Sequence, residues 1–562
     1  MRFADGQRFE ANTKVSPLLT VAPPEAFGFL DSDIGNIIID RSKLMVRDKE
    51  NNYKDLSIIG GDIHIKNGQF LTSSGRFQIA SANSAGEVAS ADVMNNTLSQ
   101  QGNIVIEGSD IINVGNPSFS QDNAVTIQGG QIWLNSSLIQ GLNRTGDIKI
   151  ASLDQLQIKN SILQTQSTQG QASNFSFTAQ MMSIDNSLIG STTEDGQAGT
   201  IHVKADERLD IYGIPFDTIF GFSTNTKGKG NGGNIIVDTR ELSIIGNGGI
   251  VAQTEATGNA GDITLNVGKL TFQDGGRVNA SSAKDATGNG GNITVNVRDS
   301  ATIIGHSPPL PPDGRIQPSA IGSSAFGSGD SGTIRITAQT LNLDKYGTIQ
   351  TLTKGFGDAG DIKITVHDLN ITHGADIDAS NEGNGYSKSG DIDITATGNV
   401  FITAEPVTSE ETLRLYEKFV YNNHLGGVYS IAEKTGHGGN IKLTAGKLTL
   451  RDNGVISAKS TAYTGDGGNI NINTNELYIS GGNAWIDVSS EFGLNGEFIL
   501  NSTKLKDDFL GIPPPQFQDA RLTYNRCASM SRENLSRFLI ITRDILPPSP
   551  EDLRTHLYMP EM

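Results

Sequence analysis

The chain has 562 residues, 66 of them glycine, with 43 basic against 61 acidic side chains and a formal net charge of −18. That charge repels phosphate backbones and argues against nucleic acid as a partner. The single cysteine, Cys527, excludes an intrachain disulfide and a cysteine-based zinc site, and no run of about 18 apolar residues could cross a membrane as a helix.

From the N-terminus, Met1-Arg2-Phe3-Ala4-Asp5-Gly6 reads as lacking the charged and apolar regions of a signal peptide. Short, less regular segments follow: Phe3 to Phe9, Pro17-Leu18-Leu19-Thr20-Val21, Phe27-Gly28-Phe29, Leu56-Ser57-Ile58-Ile59-Gly60-Gly61-Asp62-Ile63 and Gly75-Arg76-Phe77-Gln78-Ile79. Then a pattern of Gly, then Asp, Asn or Thr, then Ile begins at Gly146-Asp147-Ile148. It recurs with the glycine at 199, 233, 261, 291, 332, 360, 390, 439 and 468, with a degenerate copy at Ser173-Asn174-Phe175. The unit is 26 to 30 residues, lengthened in places by insertions. In the copy from Gly261 it holds three alternating segments, Ile263 to Val267, Leu270 to Phe272 and Arg277 to Ala280. Period-two alternation bounded by Gly, Asn and Asp is a strand signal. Units this regular pair most simply with the equivalent strand one repeat away, which predicts an all-β, right-handed parallel β-helix with three short strands per turn. Its Ile, Val and Leu would fill the interior, Gly and Asn would take the positive-φ corners, and some fifteen turns would make a rod of roughly 70 Å. A propeller fits poorly with two tryptophans, and the Gly-Asn-Gly-Gly-Asn at 288–292 has neither the spacing nor the tandem copies of a calcium-binding nonapeptide repeat.

Three insertions interrupt the period, near 213–223, 306–319 and 406–427. The first is apolar, the second proline-rich, and the third reads as a helix over 406–425, with Thr408 and Glu411 as a capping box. Alternation ends after Leu500, where Gly511-Ile512-Pro513-Pro514-Pro515 marks a linker. The tail runs through Arg526-Cys527 and Ser536-Arg537-Phe538-Leu539-Ile540-Ile541-Thr542-Arg543 to Leu546-Pro547-Pro548-Ser549-Pro550, and reads as a small irregular cap over the last turn.

With these ends and repeats the chain resembles the filamentous-haemagglutinin-like exoproteins of bacterial two-partner secretion. An Asp-Gly strand, a Leu-Leu-Thr-Val strand and a Gly-Gly-Asp turn occur there in the same order, and a similar Cys- and Pro-containing tail closes many members. The resemblance is most specific over the first 85 residues. It implies that residues 1–85 are a remnant of the secretion domain, 86–500 the β-helical (pectin lyase-like) rod and 501–562 a linker and cap. It also implies an outer-membrane two-partner-secretion transporter as partner and a place outside the cell or on its outer surface. In the family the secretion domain begins further upstream, with a signal peptide and capping strand that these residues do not contain. A folded gene fragment that is never exported is therefore an alternative.

The search for chemistry turns on carboxylates, because polysaccharide-cleaving β-helices gather acidic and basic groups from neighbouring turns. Asp376 and Asp378 alternate on one strand, as do Asp391 and Asp393 on the next, so each pair could act as acid and base or hold Ca²⁺. Without an Arg or Lys motif beside them they read as a solvated strand face. The eight histidines show no i, i+4 metal pair, and neither a Gly-x-Ser-x-Gly elbow nor a phosphate loop occurs. No catalytic, cofactor-binding or metal-ligating residue is therefore assigned. What remains is a polar surface, with Lys149, Lys363 and Lys442 at equivalent repeat positions, suited to many weak contacts. The sequence thus predicts a non-enzymatic, adhesin-like exoprotein that attaches to surface glycans or proteins. The alternative is a polysaccharide lyase or hydrolase on the same fold.

Overall fold

The computed structural model describes residues 1–9, 22–46, 55–73, 75–114, 125–142, 146–214, 219–310, 314, 316–383, 387–404, 426–480, 484–505 and 538–541. Among them there is no helix, and nearly all strands stack in parallel. Each turn supplies three strands, as in Ile148–Ser152, Gln155–Lys159 and Ile162–Ser167. The first two lie in a 22-stranded sheet and the third in a 15-stranded sheet, so the fold is a parallel β-helix. Fifteen strands at about 4.8 Å give a rod of roughly 70 Å. From Phe175 on, the first two strands of most turns join into one bent strand, such as Ile201–Gly213 or Ile263–Gln273.

Alternation decides which side chains face inward. The isoleucine after each Gly-Asx pair stacks in register from turn to turn, Ile201 on Ile235, Ile263, Ile293, Ile334, Ile362, Ile392, Ile441 and Ile470. All nine are buried, within one continuous apolar cluster that runs from Ile58 to Leu500. Each such side chain contributes about 1.5–3 kcal/mol by leaving water, so the rod is held together along its whole length.

The corners are of two kinds. Between the second and third faces, positive φ is carried by Asn67, Asn160, Asn186, Asp274, His373 and Asp452, with glycines such as Gly108 and Gly305 in other turns. The glycine of Gly-Asx-Ile lies at the other corner, where the third face returns to the first, and its backbone is not in that region. It is required for a different reason than expected: a Cβ on Gly261 would sit 1.9 Å from the carbonyl oxygen of Gly233, and one on Gly291 2.0 Å from that of Gly261. The same contact recurs up to Gly496. Glycine is there because successive turns touch through their backbones.

All three insertions leave the rod at the positive-φ corner, after the strands ending at Gly213, Ile304 and Thr403. The first is shorter than the sequence suggested, since Phe220–Thr226 is an ordinary third-face strand stacked on Leu188–Thr193. In the second, His306 bridges Pro318 and the buried Leu310 and Ile316 fold the loop back against the rod. The helix expected over 406–425 lies outside the described residues.

Near the N-terminus, Arg2–Phe3, Pro24–Phe29 and Gly86–Ala89 form a small antiparallel sheet beside a separate cluster of Ala80, Val88 and Val93. Phe27-Gly28-Phe29 lies in it, whereas Pro17 to Val21 lie outside the described residues. At the far end, residues 538–541 add a parallel strand to Phe498–Leu505; the linker at 511–515 and Cys527 lie outside the described residues.

Candidate functional site

Every face of the rod repeats one local geometry, so a site must show as a departure from it. The regular background at the Gly-Asx corner is a ladder of side-chain carbonyls. Asn234 Oδ1 accepts the N–H of Asp262 at 2.9 Å, Asp262 that of Asn292 at 2.8 Å, and Asn292 that of Thr333 at 3.0 Å. Beyond Thr333 the ladder resumes with Asp361 to Asp391 at 2.9 Å and Asp391 to Asn440 at 2.7 Å. Asp391 is therefore a turn residue. A second, parallel ladder runs three residues upstream: Asn231 to Asn259, Asn289, Asp330, Asp358 and Lys388, at 2.8 to 3.0 Å. The full motif is thus Gly-Asx-x-Gly-Asx-Ile. The first Gly-Asx escaped the sequence reading, although its period is visible at Gly230-Asn231, Gly258-Asn259 and Gly288-Asn289.

The four candidate aspartates do not come together. Asp376 and Asp378 lie on the third face, Asp391 in the corner and Asp393 on the first face, where Lys442 Nζ is 4.0 Å away. The expectation of a solvated face fails for the first pair: Asp376 is 4% exposed and Asp378 fully buried. They flank the inward-facing Ile377, so they point to the outer side of the sheet. The strand of the next turn sets Gly427 beside Asp376 and Tyr429 beside Asp378. The Tyr429 ring lies back over Gly427, where a Cβ would meet its Cζ and hydroxyl at 2.9 Å. Burial, together with Asp376 and Asp378, holds the Tyr429 phenol well above the usual tyrosine value. Asp378 Oδ1 accepts the N–H of Ser380 at 2.9 Å. Glu382, also buried, pairs with Lys354 of the preceding turn at 3.0 Å, and Glu433 of the following turn acts on it through space. Burial raises the Glu382 carboxyl above its ordinary value, and Lys354 opposes that shift. Lys354, Asp376, Asp378, Glu382, Tyr429 and Glu433 thus form one polar cluster drawn from three neighbouring turns, buried at Asp376, Asp378, Glu382 and Tyr429 and partly exposed at Lys354 and Glu433. The insertion that leaves at Ala404 and rejoins at Gly426 enters directly before the Tyr429 strand.

Neither family models, curated proteins nor solved structures give a match to this chain.

Other departures are open to solvent. At the bend between first and second faces a shallow groove of about 490 Å³ is lined by Arg240, Asn266, Gly268, Asn296 and Arg298, among others. Its floor is an amide ladder, Asn296 Nδ2 to Asn266 at 2.9 Å and Asn266 Nδ2 to Asp238 at 2.8 Å. Burial works against ionisation of Asp238, yet Asn266 and His202 hold its carboxyl below the ordinary value. On the first face Lys149, Ser176, His202, Ile236, Thr264, Thr294, Arg335, Lys363, Asp393 and Lys442 do occupy one column, in register turn by turn. Among the described residues no group of three or more His, Cys, Asp or Glu is arranged to hold a metal ion, and no helix is long and apolar enough to cross a membrane.

Proposed function

We propose that this chain is a non-enzymatic attachment protein of adhesin type, displayed outside the cell and reaching it through an outer-membrane transporter of the two-partner kind. Its targets are glycans or proteins of cell and matrix surfaces. The observation that carries this reading is the in-register column of the first face, Lys149 through Lys442, in which every residue but Ile236 bears a polar or charged group, so the rod offers hydrogen-bonding and charged groups turn after turn. Contacts that are weak per turn gain strength when many turns engage one extended target. The test is retention of the full chain on glycan-bearing cell surfaces. Retention should fall as residues 140–490 are shortened by whole repeats, and indifference to rod length refutes the reading.

One observation favours a second reading, a polysaccharide lyase or hydrolase. The cluster around Asp376 and Asp378 gathers carboxylates, a lysine and a tyrosine from three neighbouring turns. Incubation with a panel of acidic polysaccharides, with and without Ca²⁺, decides it. Product release abolished by Asp378→Asn supports an enzyme, and none across the panel removes it.

A further inference from the structure

Aromatic residues are scarce here, 6% of the chain, yet several are given to solvent. Phe326 is 40% exposed, Phe356 68%, Tyr463 78% and Phe492 50%. All four lie at one corner of the rod, in the loops that carry the third face back to the first. Each follows closely on a residue of the bridge column Ala325, Thr353, Asn381, Ala432, Ser460 and Ser490. They also lie within the last six turns. The corresponding loops of earlier turns, Glu194-Asp195, Lys227-Gly228-Lys229, Glu255-Ala256-Thr257 and Lys284-Asp285-Ala286-Thr287, hold no ring. The folding of the rod therefore does not need rings at this corner, because the earlier turns stack without them.

We propose that this edge is a saccharide-stacking track, on which the apolar faces of neutral pyranose rings lie against Phe326, Phe356, Tyr463 and Phe492 in a glycan running along the rod. The inference rests on the glycan-attachment reading and assigns the residues and the ligand class. Three observations select a sugar over a protein partner. First, the rings are set among glycine, serine, threonine and charged residues, unlike the apolar core of a protein interface. Gly327 follows Phe326, Gly355 and Gly357 flank Phe356, and Gly493 follows Phe492, so these chain neighbours place no side chain beside the rings. Second, carboxylates stand beside each pair of rings, with Lys388 and His437 in the same column between Asp358 and Asp466. Asp330, Asp358 and Asp466 each spend one oxygen on the N–H of the next turn, at 2.8, 2.8 and 2.7 Å. A carboxylate has acceptor capacity beyond that one bond, which suits hydroxyl donors. Rings beside acceptors match a pyranose, which has an apolar C–H face and a hydroxyl rim. Third, the turns along this corner advance about 4.8 Å each: Phe326 and Phe356 stand on successive turns, the described residues of the next two turns hold no Phe, Tyr or Trp here, and Tyr463 and Phe492, again on successive turns, are 5.6 Å apart between centroids. The net charge of −18 selects a neutral glycan over a polyuronate.

The experiment is calorimetric titration of the full chain with a soluble β-glucan, a soluble mannan and a polyuronate, with sedimentation of the chain alone. A neutral glycan should bind and the polyuronate should not. Phe356→Ala, Tyr463→Ala and Phe492→Ala should each weaken binding roughly two- to tenfold, the size of one stacking contact, with an unchanged β-type circular dichroism spectrum. Phe356→Tyr should restore it. Glycan binding that is undiminished in the triple variant overturns the stacking edge but leaves the attachment reading standing. Dimers of the native chain that the alanine variants dissociate, without glycan binding, overturn it in favour of self-association. A chain that binds neither glycans nor cell surfaces refutes both.

Discussion

Thr333 stands in the Asx ladder where its neighbours have a side-chain carbonyl, and this position gives a prediction of unusual sign: Thr333→Asn should stabilise the rod. Asn292 Oδ1 reaches the N–H of Thr333 at 3.0 Å, and the ladder restarts only with Asp361, whose Oδ1 accepts from Asp391 at 2.9 Å. The threonine side chain has no carbonyl, so the N–H of Asp361 goes without the bond its equivalents receive. An asparagine would sit as Asn292 sits one turn earlier, and would add one hydrogen bond worth about 0.5–1.5 kcal/mol net. The site is exposed, so water already satisfies part of the demand and the lower half of that range applies. Global unfolding of a stacked array is not all-or-none; the better assay is amide exchange at Asp361. A gain of about 1 kcal/mol slows exchange from a locally opened state roughly fivefold. Asn292→Ala should do the reverse at Thr333. Unchanged exchange in both variants would refute the ladder as a source of stability and leave it a by-product of backbone stacking.

Gly360→Ala places a Cβ 2.1 Å from the Gly332 oxygen and 2.6 Å from its carbonyl carbon, backbone that cannot swing aside. Amide exchange in the turns around residue 360 should quicken by the equivalent of about 1–3 kcal/mol. Gly322→Ala, whose nearest neighbour is Gln350 Cγ at 3.5 Å, should stay within about 0.5 kcal/mol, and equal losses would show that the column is not special. Ile364→Ala, in the buried row, should cost about 2–5 kcal/mol by the same measurement. The last prediction concerns Glu382, whose folded pKa lies above its unfolded value. The folded state then holds more protons in the interval between the two, so stability should rise as pH falls through the folded pKa and level off below the unfolded one. The native protein should gain on Glu382→Gln with acidification, and a constant difference between them would contradict the burial of the charge.

Much of this architecture is legible in the sequence because one turn states its rules ten times over. Ile263, Leu265, Leu270 and Phe272 alternate as a strand must, and all four are buried as that alternation requires. The role of the motif glycine was less legible. Glycine spacing is the same whether the backbone needs positive φ or only a bare Cα, and only the 1.9 Å approach of Gly233 to Gly261 separates the two. Asp376 and Asp378 were the harder case. Their burial depends on Tyr429, 51 residues beyond Asp378, across a long insertion that hides the register. The exposed rings at Phe356 and Tyr463 were not singled out, because alternation rules describe strands and these residues sit in loops.

The placing of the three insertions has a consequence for how such a molecule can change. At the glycine corner, backbone meets backbone in column after column, and the additions found there are small, as in the two extra residues between Ser282 and Gly291 relative to Thr254 and Gly261. The opposite corner absorbed additions after Gly213, Ile304 and Thr403 while the ladders on either side stayed in step. One edge is a fastened seam and the other an open margin. New loops, tags or whole recognition modules can be written along that margin without editing the rod, and extra turns can be inserted as complete units. The length of the molecule and its equipment are therefore free to vary separately.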